Sequence, residues 1–250
     1  MIEKVTIKDK KILERILGKE SENVDEYIFN LPQDEGIILI GGVNGSGKST
    51  LLNTMHYTTE RIRLRVDEEK KMKKFKEMVT LTNDDTEIIF WSNSRDNMRY
   101  AKNMDEIFAD GDSGENFSLF FNAKRQSEGE SLLASFSLCI GERIKKNSDS
   151  KTPKDMVVII DEIDSGLSDD IIYLIIQYMK KMHHEYGVNF ICSCNSYMMV
   201  SEIGKVYLPY AGGKPEIIKN HEEWVDFVLS ENVIKMGKSD YLYEKYNKED

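Results

Sequence analysis

The sequence predicts an α/β fold around a largely parallel sheet, and three stretches carry that prediction. Gly36-Ile37-Ile38-Leu39-Ile40 is a short continuous apolar run that leads into GGVNGSGKST, residues Gly41 to Thr50. Met156-Val157-Val158-Ile159-Ile160 is a second such run and ends in Asp161-Glu162. Val188 to Cys194 is a third. Apolar runs of this length read as strands covered on both faces, which is the environment of a parallel sheet.

Ahead of the first run, Lys4-Val5-Thr6-Ile7 and Glu26-Tyr27-Ile28-Phe29 read as strands. The polar segment between them, Lys8 to Asp25, has a short helical pattern at Ile12, Ile16 and Leu17. Tyr27 and Phe29 admit two readings, a ring on which adenine stacks or a core aromatic, and core is the commoner role on a strand.

Gly42, Gly47, Lys48 and Ser49 then match the phosphate-binding pattern G-x-x-x-x-G-K-[ST], with Asn44, Gly45, Ser46 and Thr50 completing the loop. Strand before and helix after (Leu51 to Met55) are the context the pattern needs. Glycines let backbone N–H groups approach phosphate oxygens, and the start of the helix adds partial positive charge. Lys48 is expected to reach the β- and γ-phosphates, and the Ser49 hydroxyl to ligate Mg²⁺. A turn of this composition that binds nothing is the alternative, and a full match in context disfavours it.

Beyond the loop, Arg61 to Glu77 carries eight Lys or Arg against four acids. It reads either as a contact for a nucleic-acid backbone or acidic partner, or as a solvated helix with mixed charge pairs. The acidic balance of the whole chain favours the solvated helix. Thr86 to Trp91 resumes a strand that ends at Ser92-Asn93, and Arg95 to Gly114 reads as a polar surface insertion. Ser127 and Glu130 have capping-box spacing ahead of Leu132, Leu133, Phe136, Ile140 and Ile144, so a helix is expected over 127–146.

Asp161 and Glu162 end the second apolar run, where two carboxylates are costly unless a cation or hydrogen bonds compensate. In a phosphate-loop fold the first acid holds the Mg²⁺ shell and the second orients or deprotonates the attacking water. Ser165-Gly166-Leu167-Ser168 reads as a tight turn into a helix that Gly187 ends. Ile171, Leu174, Ile175, Tyr178, Met179 and Met182 are its expected buried stripe. The strand 188–194 runs into Asn195-Ser196, and 206–210 with 216–218 form a hairpin. The last thirty residues read as polar helix, with Trp224, Phe227 and Val228 turned inward.

Composition narrows the functional classes. With 250 residues and a net charge of −10, the chain can bury a substantial core and has no global attraction for nucleic acid or anionic membrane. No apolar run approaches the ~20 residues of a membrane span. MIEKVTIKDKK lacks the apolar stretch of a signal peptide, so a cytoplasmic protein is expected. Cys139, Cys192 and Cys194 form no disulfide framework, and the last two share one side of a strand as buried thiols.

In this order, the motifs resemble those of the ATP-binding cassette ATPases. The phosphate loop at 42–49 and the VVIIDE strand at 157–162 match two of that family's motifs. Ser127-Glu128-Gly129-Glu130 is similar to its signature, and Ser165-Gly166-Leu167-Ser168 looks like its D-loop. The resemblance implies a single domain over 1–250, with a mixed sheet core, an antiparallel β flank and a helical subdomain. The flank spans 1–35, the nucleotide core 36–92 and 155–210, the helical signature part 93–154, and a C-terminal helical segment 211–250. It further implies ATP and Mg²⁺ as cofactors, Lys48 and Glu162 as catalytic residues, and Ser49 and Asp161 as metal ligands. Two chains would close head to tail on ATP, with Ser127, Gly129 and Glu130 of each meeting the other's nucleotide.

Two departures stand out. The family's Gln after the strand downstream of the phosphate loop falls near Asn93, a candidate metal contact, and its switch histidine is replaced by Asn195. Asn195 can hydrogen-bond a phosphate oxygen but carries no charge, which points to slow hydrolysis. The signature and the lack of a membrane segment are similar to the soluble branch, comprising chromosome-maintenance and DNA-repair ATPases and compact ATPases of bacterial or phage conflict systems. That branch implies an ATP-dependent homodimer controlling nucleic acid or a separate effector such as a nuclease. A transporter's nucleotide-binding subunit and a non-hydrolysing ATP sensor are the competing readings.

Overall fold

A computed structural model describes residues 1–42, 44–56, 77–92, 128–165, 167–209 and 215–236. Two sheets organise them. Strands β1 (Ile2–Ile7), β2 (Tyr27–Asn30) and β4 (Val79–Leu81) form an antiparallel sheet in the order β2-β1-β4. The larger sheet runs β5-β6-β7-β3-β8-β9, from β5 (Glu87–Ser92), β6 (Met156–Asp161), β7 (Asn189–Ser193), β3 (Ile37–Ile40), β8 (Lys205–Tyr207) and β9 (Pro215–Ile217). Its first five strands are parallel to one another, and β9 turns back antiparallel on β8. The expected α/β class, with mixed sheet and antiparallel flank, is what forms.

The alternation of side chains along a strand explains why three apolar runs suffice. Ile37 and Leu39 of β3, Val158 and Ile160 of β6, and Phe190 and Cys192 of β7 face one hydrophobic core. Ile38, Ile40, Val157, Ile159 and Ile191 face another, on the opposite side. The first core is covered by α5 (Asp169–Tyr186), by α6 (Tyr197–Ile203), and by the helical stretch made of α3 (Glu128–Phe136), a π-helical segment (Ser137–Gly141) and α4 (Glu142–Ser148). The second is covered by α1 (Lys10–Leu17), α2 (Lys48–Thr54) and the antiparallel sheet. Tyr27 and Phe29 are buried in that second core, so they are packing residues and offer no ring to a nucleotide. A 3₁₀ turn, Gly18–Asn23, follows α1, and α7 (His221–Met236) follows β9 with Trp224 buried against the first core.

Several details depart from expectation. The helix expected over 127–146 is described from Glu128 to Ser148 and is interrupted by the π turn. At that turn α5 comes close: a Cβ on Gly141 would lie 2.5 Å from the Tyr178 hydroxyl oxygen. Tyr178 also meets Phe136 edge to face, and Phe136 meets Trp91 in the same way. Neither β4 nor α6 was expected; Ser196 caps α6 by accepting from Met198 N–H at 3.1 Å, and Gly204 ends it in the left-handed region. Helix α5 starts after Ser168 and stops at Gly187 (φ 67°) as expected. Its buried face, however, is Ile172, Ile175, Ile176, Met179 and Met182, while Leu174 is 52% exposed. Cys192 and Cys194 are both buried thiols, and burial raises the pKa of each.

The phase of α5 is directly measurable. Leu174→Ala should change stability by less than ~0.5 kcal/mol. Ile176→Ala, at a fully buried position, should cost about 2–5 kcal/mol in urea unfolding. The reverse ranking would mean that the helix is rotated from the face described here.

Candidate nucleotide site

The site lies where the parallel strands end. Ile40 pairs with Ser193 and Tyr207, and Ser92 pairs with Asp161. Ile160 pairs with Cys192, which sets Asp161 level with Ser193. The carboxyl ends of β5, β6, β7, β3 and β8 therefore form one row, the edge at which open α/β sheets place their ligands.

From β3 the chain enters the glycine loop. Gly41 N–H donates to Tyr207 O at 3.0 Å, and a Cβ on Gly41 would lie 2.9 Å from Val206 Cβ, so β8 leaves no room for a side chain. Gly42, Gly45 and Gly47 have φ of 124°, 79° and 89°, values that L side chains rarely adopt. At Gly47 the constraint is double, because α1 packs against the loop and a Cβ would lie 2.9 Å from Ile16 Cα. Asn44 and Gly45 are exposed, while Ser46 Oγ is buried without a hydrogen-bond partner among the described residues. Lys48 opens α2 and is buried, its Nζ donating to Gly42 O at 2.6 Å. Thr50 lies in the same first turn.

Next to this loop stand the two acids. Ser49 Oγ donates to Asp161 Oδ1 at 3.1 Å, across the intervening strand β7. Asp161 is buried, and Glu162 beside it is half-buried with φ 59°. A non-glycine residue in that region costs about 1–3 kcal/mol and is held there by its surroundings. Here Glu162 N–H donates to Ser193 Oγ at 2.7 Å. Two residues on, Asp164 Oδ2 accepts the N–H groups of Asn195 and Ser196, both at 2.6 Å. Burial raises the pKa of Asp164, opposed by those backbone N–H groups and by the charge of Lys48. Its other oxygen, Oδ1, is buried and accepts no hydrogen bond among the described residues. The side chain of Asn195 sits at an exposed position at the mouth of the same edge.

These placements sort the expected site residues. Gly42, Ser46, Gly47, Lys48, Ser49, Asp161, Glu162 and Asn195 converge on the strand ends. Gly129 and Glu130 are carried separately on α3, where a Cβ on Gly129 would lie 3.1 Å from Ile171 Cγ1 of α5. Asn93 and Ser127 lie outside the described residues. Ser193 and Asp164 were missed. Their signal was a polar residue within or just after an apolar run, which needs a buried partner.

The donor set fits a nucleoside phosphate with Mg²⁺. An orphaned buried hydroxyl at Ser46, a buried ammonium at Lys48 and a loop of positive-φ glycines suit phosphate oxygens. Among the described residues no group of three or more His, Cys, Asp or Glu side chains could hold a metal ion. Ser49 Oγ and Asp161 Oδ1 supply two hard oxygens, the incomplete shell that Mg²⁺ takes when phosphate oxygens and water fill the rest.

No protein-family model matches the chain, and no curated protein does. Solved structures of low identity are similar to it. One is the ADP conformation of an ATP-binding cassette of an ABC transporter, with 15% identity and a TM-score of 0.47 over 96% of this chain and 100% of that one. Another is a dimeric post-hydrolysis state of an ATP-binding cassette bound to ADP and Pi, with 15% identity and a TM-score of 0.44 over 88% and 98%. A third is cbiO1 from Clostridium perfringens, part of the ABC transporter complex cbiONQ, with 16% identity and a TM-score of 0.43 over 94% and 92%. Likeness at this level carries no activity to this chain, and the site is read from its own residues. No helix among the described residues is long and apolar enough to cross a membrane.

Gly47→Ala tests the double constraint on the loop. The strained φ and the contact with the Ile16 backbone should together cost more than ~1 kcal/mol of stability. Nucleotide affinity, followed with a fluorescent ATP analogue, should fall at least tenfold. An alanine variant of wild-type stability and affinity would show that the loop is not held as described.

Proposed function

We propose that this chain is an ATPase that binds Mg-ATP at the strand ends and hydrolyses it. The observation that carries this reading is the Ser49 Oγ to Asp161 Oδ1 hydrogen bond. It joins the hydroxyl of the phosphate loop to the acid of the neighbouring motif, which is the pairing a shared Mg²⁺ needs. Lys48 would meet the β- and γ-phosphates, giving up its present bond to Gly42 O. Glu162, next to the metal acid and half-buried, would take the proton of the attacking water. Mg-ATP, when bound, supplies the phosphoryl group and the divalent charge that offsets its oxygens. The chain's part is to position those oxygens and to hold the base.

Closure as a head-to-tail homodimer belongs to the same reading, supported by the resemblance at 127–130 and by the place of Gly129 apart from the phosphate loop, on α3. So does the arrangement as one domain with the subdivisions expected from sequence, a cytoplasmic location, and control of an effector or nucleic acid. A transporter's nucleotide-binding subunit is the second reading, the setting named for two of the similar structures above.

Phosphate release by the purified chain with Mg-ATP tests the activity. Lys48→Ala should reduce nucleotide binding below detection with the fold intact; normal affinity would remove the phosphate-loop assignment. Glu162→Gln should keep ATP affinity within about threefold while hydrolysis falls at least a hundredfold, and it should accumulate a dimer by light scattering. Turnover at the wild-type rate in that variant would show that Glu162 is not the base. Ser127→Arg should leave ATP binding by the single chain intact and block dimer closure; normal turnover there would remove the signature reading.

A further inference from the structure

We propose that Ser193 is a positioning residue for hydrolysis, acting through the backbone of Glu162. The proposal rests on the ATPase reading above and extends it to a residue that touches neither nucleotide nor metal. Glu162 is the only described non-glycine residue with positive φ. Its N–H is held at 2.7 Å by the Ser193 hydroxyl oxygen, from a side chain that is 1% exposed. The acceptor is held by its buried strand, so the hydroxyl fixes where the Glu162 backbone turns.

Ser193 is itself fixed from both sides. It pairs with Ile40 at the end of the phosphate-loop strand. Beyond it, the N–H groups of Asn195 and Ser196 are both taken by the Asp164 carboxylate at 2.6 Å. The loop after β6 and the segment after β7 therefore hold each other crosswise. Glu162 gives its N–H to the β7 side, and Asp164 takes two from it. Removing the Ser193 hydroxyl frees Glu162 to leave the left-handed region while β6, Asp161 and the phosphate loop stay in place. The carboxylate then samples orientations away from the water it must deprotonate, and kcat falls without loss of nucleotide affinity.

The test is steady-state ATP hydrolysis and ATP binding by the full chain carrying Ser193→Ala, Ser193→Thr or Ser193→Cys. Expected for Ser193→Ala is a fall in kcat of at least tenfold, with KM and the Kd for ATP within twofold of wild type. Ser193→Thr, which keeps a hydroxyl and a strand-compatible side chain, should recover most of kcat. Ser193→Cys puts a weak acceptor of similar size in place, and should lose several-fold in kcat even if the alanine variant does not fold. Unchanged kcat in a folded Ala or Cys variant overturns the proposal. So does a threonine variant no better than alanine, or a loss confined to ATP affinity. A wild-type chain that binds ATP without turning it over overturns the ATPase reading instead, and this proposal with it.

Discussion

The hydrogen bond between Ser49 and Asp161 ties together two strands that do not touch. β7 stands between β3 and β6, so the phosphate loop and the strand acid meet only if three strands end at the same level. The register does this, with Ile40 opposite Ser193 and Ile160 opposite Cys192. A slip of one residue in either pairing would send the side chains of that strand to the opposite face. The two apolar cores forbid such a slip, because each strand feeds both of them alternately. The site geometry is thus a by-product of the register that burial enforces.

The same row explains where polarity enters the sheet. Ser92, Asp161 and Ser193 lie side by side at the strand ends and are all buried. Polar groups there cost stability unless they are hydrogen-bonded. Asp161 is met by Ser49 and Ser193 by the Glu162 N–H, so the loops that leave the strands satisfy two of the three. Ser46 Oγ and Asp164 Oδ1 remain buried without partners among the described residues. Both lie in the loops around that edge, where a polar ligand has most to offer.

How much of this was legible in the sequence depended on distance along the chain. The apolar runs, the glycine loop, the two acids and both ends of α5 were readable because each signal lies within a few residues. Helix α5 was found, and Ile175, Met179 and Met182 of its expected stripe are buried, but Ile172 and Ile176 stand in the core where Leu174 was expected. Ile171-Ile172 and Leu174-Ile175-Ile176 are adjacent apolar residues, so a helical period fits more than one face. Packing chose Ile172 and Ile176 and left Leu174 exposed. β4 is three residues long and gains its hydrogen bonds from β1, nearly eighty residues away, so no local pattern marks it. Ser193 and Asp164 escaped for the same reason. Each shows only as a polar residue in or just after an apolar run, and the adjacency of β6 and β7, which gives it a partner, is not local in sequence.

The magnitudes decide whether the strained turn at Glu162 can persist. A non-glycine residue at φ 59° costs about 1–3 kcal/mol. Against it stand one neutral hydrogen bond from Glu162 N–H and two accepted by Asp164. A neutral bond contributes about 0.5–1.5 kcal/mol and a bond to a charged group about 1.5–3. The raised pKa of Asp164 lowers that total, because burial charges the carboxylate a desolvation cost. With that cost the two Asp164 bonds do not count at their full value, and the Ser193 bond alone only matches the low end of the strain range. The turn therefore depends on the crossed bonds as a set. A change at the segment after β7 is felt at Glu162 through the backbone, whatever side chain stands at Asn195.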